Sequence, residues 1–128
     1  MKIEHIAIWV TDLEEMRSFY ETYFNVVSGE KYYNPTKNFS SYFLSFTNGA
    51  RLEIMHKTSI KKATGTEVIH TGFIHIAISI GTKQNVDLLT ERIRKDGYTI
   101  AGEPRTTGDG YYESVILDPE GNQIELTI

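Results

Sequence analysis

Apolar and polar residues alternate with period two over residues 3–10, IEHIAIWV, and this predicts a β-strand. Ile3, His5, Ala7 and Trp9 fall on one face, and Ile6, Ile8 and Val10 on the other. The period then lengthens to that of a helix: Leu13, Met16, Phe19, Tyr20 and Phe24 make one apolar stripe. Asp12 is placed to cap this helix, with Glu15 three residues on, the spacing of a capping box. Three strand-like runs follow, near 26–33, 40–47 and 50–56, and Asn48-Gly49 between the last two signals a tight hairpin.

The same order then returns. Residues 73–80, FIHIAISI, set Phe73, His75, Ala77 and Ser79 against Ile74, Ile76, Ile78 and Ile80, and the tetrapeptide HIAI recurs unchanged. A helix is predicted over about 83–96, with Val86, Leu89 and Ile93 inward and Gly97 placed to end it in the left-handed conformation. Strand-like runs near 98–102, 111–117 and 122–128 complete the set, with Asp118-Pro119-Glu120-Gly121 as a turn. Each half reads β-α-β-β-β, an α+β arrangement built twice. Neither half alone is large enough for a robust core, so the two are expected to form one domain over 1–128: a first module at 1–56, a linker at 57–71 and a second module at 72–128.

Composition narrows the function. The chain has 128 residues and no cysteine, which excludes a disulfide framework, a thiolate nucleophile and a Cys-zinc site, and fits a cytoplasmic location. Net charge is −4 with scattered basic residues, which argues against a nucleic-acid partner; the densest basic cluster, Lys57, Lys61 and Lys62, reads as solvated linker. MKIEH leads straight into a strand pattern without an apolar signal region, and no apolar run nears the roughly 20 residues of a membrane helix. A small-molecule partner is left.

The repeat also pairs chemistry. The last strands of the halves, ARLEIMH and NQIELTI, carry Glu53 and Glu125 on the face opposite their apolar residues, as the first strands carry His5 and His75. If all four point to the concave side of a curved sheet, two imidazoles and two carboxylates converge on a site suited to a divalent transition metal, with coordination positions left open for substrate. His56 and His70 have no repeated counterpart, and His56 falls on the face opposite Glu53, so both stay outside the ligand set.

These residues, with the TDLEEMRSFYETYF helix and the closing LDPEGNQIEL, make the chain similar over nearly its whole length to the vicinal oxygen chelate superfamily, and within it to small bacterial glyoxalase I enzymes. The resemblance implies paired βαβββ modules curved around a metal cleft and a homodimer, with the site inside one chain or shared by two. It implies His5, Glu53, His75 and Glu125 as ligands of nickel, cobalt or zinc. It further implies isomerisation of a hemithioacetal of a 2-oxoaldehyde and glutathione, or another thiol, through an enediolate, with Glu125 as base and Glu53 as its partner. One position departs: where glutathione-using members carry arginine four residues after the first histidine, Trp9 stands here, and an indole cannot hold a carboxylate. Trp9 is expected to line the substrate pocket, with Arg51, Lys57 or Arg105 as substitute anion contacts. Alternatives on the same scaffold are a drug-binding resistance protein, an epimerase and a thiol transferase; a ring-cleaving dioxygenase wants only two histidines and one carboxylate.

Overall fold

The computed structural model describes residues 1–61 and 71–128, and the chain divides into two compact units, Met1–Glu67 and Val68–Ile128. The first runs β1 (His5–Trp9), α1 (Leu13–Phe24), β2 (Val27–Ser28), β3 (Tyr32–Asn34), a 3-10 turn at Pro35–Lys37, β4 (Phe39–Ser45) and β5 (Arg51–Lys57). The second runs β6 (His75–Ser79), α2 (Lys83–Lys95), β7 (Ile100–Thr106), β8 (Tyr112–Leu117) and β9 (Gln123–Thr127). The sheets are ordered β1-β5-β4-β2, with β3 also on β4, and β6-β9-β8-β7. In both, the first and last strands pair parallel and all other pairs are antiparallel.

Alternation decides which face is buried. Val10, Tyr42, Leu44, Leu52 and Ile54 turn to one side of the first sheet and are covered by Leu13, Met16, Phe19, Tyr20 and Phe24 of α1. Each such aliphatic side chain, fully removed from water, contributes about 2 kcal/mol before entropy is charged. Asp12 caps α1 by accepting from the Glu14 and Glu15 amides at 3.1 and 2.9 Å. Tyr42 donates to Glu14, tying sheet to helix at 3.0 Å. In the second unit Val86, Thr90 and Ile93 of α2 cover Ile116, Ile124 and Leu126. Gly97 takes φ +91°, and the amides of Gly97 and Tyr98 bond back to Arg94 and Ile93, so the expected left-handed end is a Schellman turn.

Several expectations change in detail. The run at 26–33 is two short strands, because Gly29 breaks it and donates its amide to Phe43 instead. The Asn48-Gly49 hairpin is wider than a two-residue turn: pairing stops at Leu44 and Leu52. Strand β5 continues through Lys57, which pairs with Phe39 and is not solvated linker; Lys62 lies outside the described residues. Strand β7 runs on to Thr106 past Pro104, which the sheet tolerates because β7 is an edge strand with register shifts on either side of Gly102. A Cβ at Gly102 would sit 3.3 Å from Val115, so glycine lets the two strands close. Thr90 is fully buried beside a half-buried Leu89; its hydroxyl donates to Val86 O at 2.7 Å, so the Ser114 hydroxyl, also 2.7 Å away, donates to it.

The closing turn is built around Asp118, 4% exposed, whose carboxylate accepts from the Glu120 and Asn122 amides and from the Asn122 side chain. Replacing it by alanine strands these donors. Asp118→Ala is expected to lower unfolding free energy by about 2 kcal/mol, and Asp118→Asn, which keeps an acceptor oxygen, by about half that; urea denaturation of the whole chain measures both.

Candidate metal centre

Parallel pairing fixes which side chains meet. In the first unit His5 stands opposite Arg51 and Ala7 opposite Glu53; in the second His75 stands opposite Gln123 and Ala77 opposite Glu125. The two registers are the same, so each histidine lies one step diagonally from its glutamate on the face away from the helix. His5 Nε2 is 3.9 Å from a Glu53 oxygen, and His75 Nε2 is 3.5 Å from a Glu125 oxygen. All four side chains are partly exposed, the acids less than the imidazoles. The structure therefore brings the predicted residues together as one His–Glu pair in each unit. Among the described residues no set of three or more His, Cys, Asp or Glu side chains is gathered for a metal ion.

Two further acids, absent from the sequence reading, set the electrostatics. Glu4 contacts His5 Nδ1, and Arg51 grips Glu4, its Nε donating at 2.9 Å. The hydrogen bond from His5, then those from Arg51, hold the Glu4 carboxyl below the usual carboxylate range. An ionised carboxylate only accepts, so Nδ1 carries the proton, and in the neutral ring the lone pair is then on Nε2, the nitrogen facing Glu53. The Arg51 guanidinium also lies 4.1 Å over the Phe43 ring, whose neighbour edge-on at 5.4 Å is His5. Arg51 is thus engaged by Glu4.

In the second unit Glu113 occupies the face of Glu125. It is 8% exposed and accepts from Arg105 at 3.3 Å. Burial, then the negative charge of Glu113, push the Glu125 carboxyl up, against the opposing pull of His75. Glu113 was findable in principle, since it shares strand parity with Val115, which pairs with Glu125. Glu4 was not: one residue before His5 in an ideal strand, it would point to the other face, and it folds back only because β1 starts at His5.

The remaining residues sort plainly. His56 lies off the Glu53 face as expected, and its Nδ1, 2.9 Å from the Val10 carbonyl, carries a proton and ties β5 to the end of β1. His70 lies outside the described residues. Trp9 shares the open face with His5, stands edge-on to Phe39 at 6.1 Å, and has Lys57 Nζ over its ring at 4.9 Å. Residues 107–111 make the turn between β7 and β8, Thr107 N donating to Tyr111 O, while Tyr112 faces α2 and donates to Asp87. No helix among the described residues is long and apolar enough to cross a membrane.

Two βαβββ units with matched His–Glu pairs define a protein of the vicinal oxygen chelate type. The chain belongs to the Glyoxalase/Bleomycin resistance protein/Dioxygenase superfamily, which matches residues 2–126. An uncharacterized protein, YqjT of Bacillus subtilis (strain 168), is 25% identical over 127 residues, covering 97% of this chain and 96% of its own. Among solved structures, a variant of glyoxalase I from Zea mays superposes with a TM-score of 0.81 at 26% identity, over 98% of this chain but 44% of the maize chain, so this chain spans under half of that protein. The trypanothione-dependent glyoxalase I of Leishmania major gives 0.79 at 24% identity, over 99% and 86% of the two chains. A glyoxalase family protein from Enterococcus faecalis gives 0.81 at 20%, over 99% and 97%. These likenesses fix the fold.

The raised Glu125 carboxyl has a stability consequence. A carboxyl whose folded value lies above its ordinary 4.5 stabilises the fold below that pH and loses this contribution as pH rises through the folded value. In chelator-treated protein, Glu125→Gln is expected to melt higher than wild type at pH 7.5 and to converge with it at pH 4; calorimetry at both pH values decides.

Proposed function

We propose that the protein is a metal-dependent lyase of glyoxalase I type, isomerising a 2-oxoaldehyde–thiol hemithioacetal to a 2-hydroxyacyl thioester. The observation that carries this is the His–Glu pair repeated in the same register in both units. On this reading the two pairs together hold one divalent ion, the second pair coming from the same chain or from a second copy in a homodimer.

The residues fit such an ion. Two imidazoles and two carboxylates suit nickel, cobalt or zinc and neutralise its charge. Donors each about 2.1 Å from one ion stand about 3.4 Å apart at a tetrahedral angle, and His75 and Glu125 are 3.5 Å apart. Burial, then the negative charge of Glu113, push Glu125 up, and a cation would offset both by holding the carboxylate ionised. Bound, the ion would supply positive charge for two vicinal oxygens as they become negative.

The chain's own groups do the rest. Glu125 removes the proton next to the carbonyl. Glu53 returns a proton to the neighbouring carbon. Glu4, held by Arg51, keeps His5 in the tautomer that presents Nε2. A thiol cosubstrate, glutathione or another, puts the protein in the cytoplasm, where thiols stay reduced. A drug-sequestering role would use the exposed Trp9 but leave both His–Glu pairs without work.

Protein purified without chelator is expected to carry about one nickel, cobalt or zinc ion per two His–Glu pairs by metal analysis. With methylglyoxal and glutathione, or a replacement thiol, the nickel-loaded protein should form thioester, and Glu125→Gln should reduce the rate about a thousandfold. Absence of both bound ion and turnover overturns the reading. Glu4→Ala is expected to weaken metal affinity about tenfold in competition with a chelating dye.

A further inference from the structure

The open face of the first sheet has a second region, beyond the His5–Glu53 pair. Pairing across β1, β5, β4 and β3 aligns Trp9, Met55, Ser41 and Tyr32 in one row, and Lys57 and Phe39 in the next. Trp9 stands edge-on to Phe39, and Phe39 lies 5.9 Å from Tyr32 with the rings tilted. Ser41, small and 2% exposed, lies low among these rings. Trp9 and Tyr32 nevertheless remain 46% and 54% exposed, so large aromatic surface is left for a flat group to cover.

Charge distinguishes this region from a bare apolar patch. Lys57 Nζ sits over the Trp9 ring, and among the described residues no carboxylate pairs with it. The other cation on this face, Arg51, is neutralised by Glu4. In a chain of net charge −4, an aromatic row topped by an ammonium that no described carboxylate compensates selects an anion. Position matters too. Trp9 and Lys57 each lie four residues along the strand from His5 and Glu53, roughly 13 Å at strand rise. A group there cannot be the small reacting part of a substrate chelated near His5 and Glu53.

We propose that Trp9, Phe39, Tyr32 and Lys57 form a specificity subsite for a flat aromatic group bearing a carboxylate, the non-reacting end of an extended substrate. That this end belongs to a thiol adduct rests on the glyoxalase reading; binding of the aryl carboxylate does not. Aromatic faces take the ring and Lys57 takes the carboxylate as a charge-assisted hydrogen bond.

The chain has a single tryptophan, so its emission reports this subsite alone. Chelator-treated protein is titrated with 2-naphthoate, 2-naphthylmethanol and cyclohexanecarboxylate, following Trp9 emission and, in parallel, heat by calorimetry. Expected is binding of 2-naphthoate about tenfold tighter than either the neutral alcohol or the non-aromatic acid. Lys57→Gln should erase the preference for acid over alcohol while leaving alcohol binding unchanged, Lys57→Arg should retain it, and Lys61→Gln, an exposed neighbouring charge, should change nothing. Equal binding of acid and alcohol to wild type, no emission change with any ligand, or an equal effect of Lys57→Gln and Lys61→Gln overturns the proposal. Because metal is absent throughout, failure of the metal reading leaves this outcome untouched, and turnover without naphthoate discrimination sinks the subsite alone.

Discussion

Everything in each unit depends on one parallel pairing, first strand against last. Parallel neighbours place residues of equal parity on a common face, so His5 and Glu53, far apart in the chain, become diagonal neighbours, as do His75 and Glu125. A slip of one residue would send both acids into the apolar layer under the helix and bring Leu52 or Ile124 to the open face. The apolar layer therefore guards the register. Leu52, Ile54, Ile124 and Leu126, almost fully buried, can occupy only one parity, and the site inherits its geometry from them.

Much of this was legible in the sequence, and for the same reason. Alternation and helical spacing report burial directly, so both helices, both opening strands and both closing strands were placed within a residue or two. The His–Glu faces followed because face is set by parity. What alternation cannot report is how strands end and which neighbour is drawn across. Pro104 reads as a stop unless β7 is known to be an edge, and Gly29 reads as a weak point in one strand where it divides two. Lys57 was assigned to a linker because its lysine neighbours outweighed one more step of strand parity. Thr90 reads as surface until Ser114 supplies a hydroxyl in the core. Glu4 and Glu113 were missed because their importance lies in charge across strands, a property of the pairing and not of any local pattern.

The two units are alike in backbone and unlike in charge. Around His5 the second layer is an ion pair, Glu4 with Arg51, that orients the ring and is internally neutral. Around Glu125 it is a second, nearly buried acid, only partly offset by Arg105. In the first unit the carboxylate of Glu4 faces His5 Nδ1, and in the second a neighbouring acid, after burial, pushes the Glu125 carboxyl up. Positions equivalent by register thus stand in different electrostatic surroundings in the two units. The same divergence separates Trp9 from Ser79, its counterpart four residues after the histidine, so an aromatic ring stands at that register position in the first unit alone.

The strands that open each unit are also sheet margins. Among the described residues β1 is bonded within its own sheet only to β5, and β6 only to β9, so in each sheet an isoleucine-rich strand stands at the margin. Such a flank is a template on which further chains can polymerise. The HIAI segments thus carry two opposed demands: flat enough and regular enough to set a histidine against a glutamate, and for that very reason sticky wherever the flank is bared. In each unit the HIAI segment is therefore the place from which association with further chains would start on unfolding.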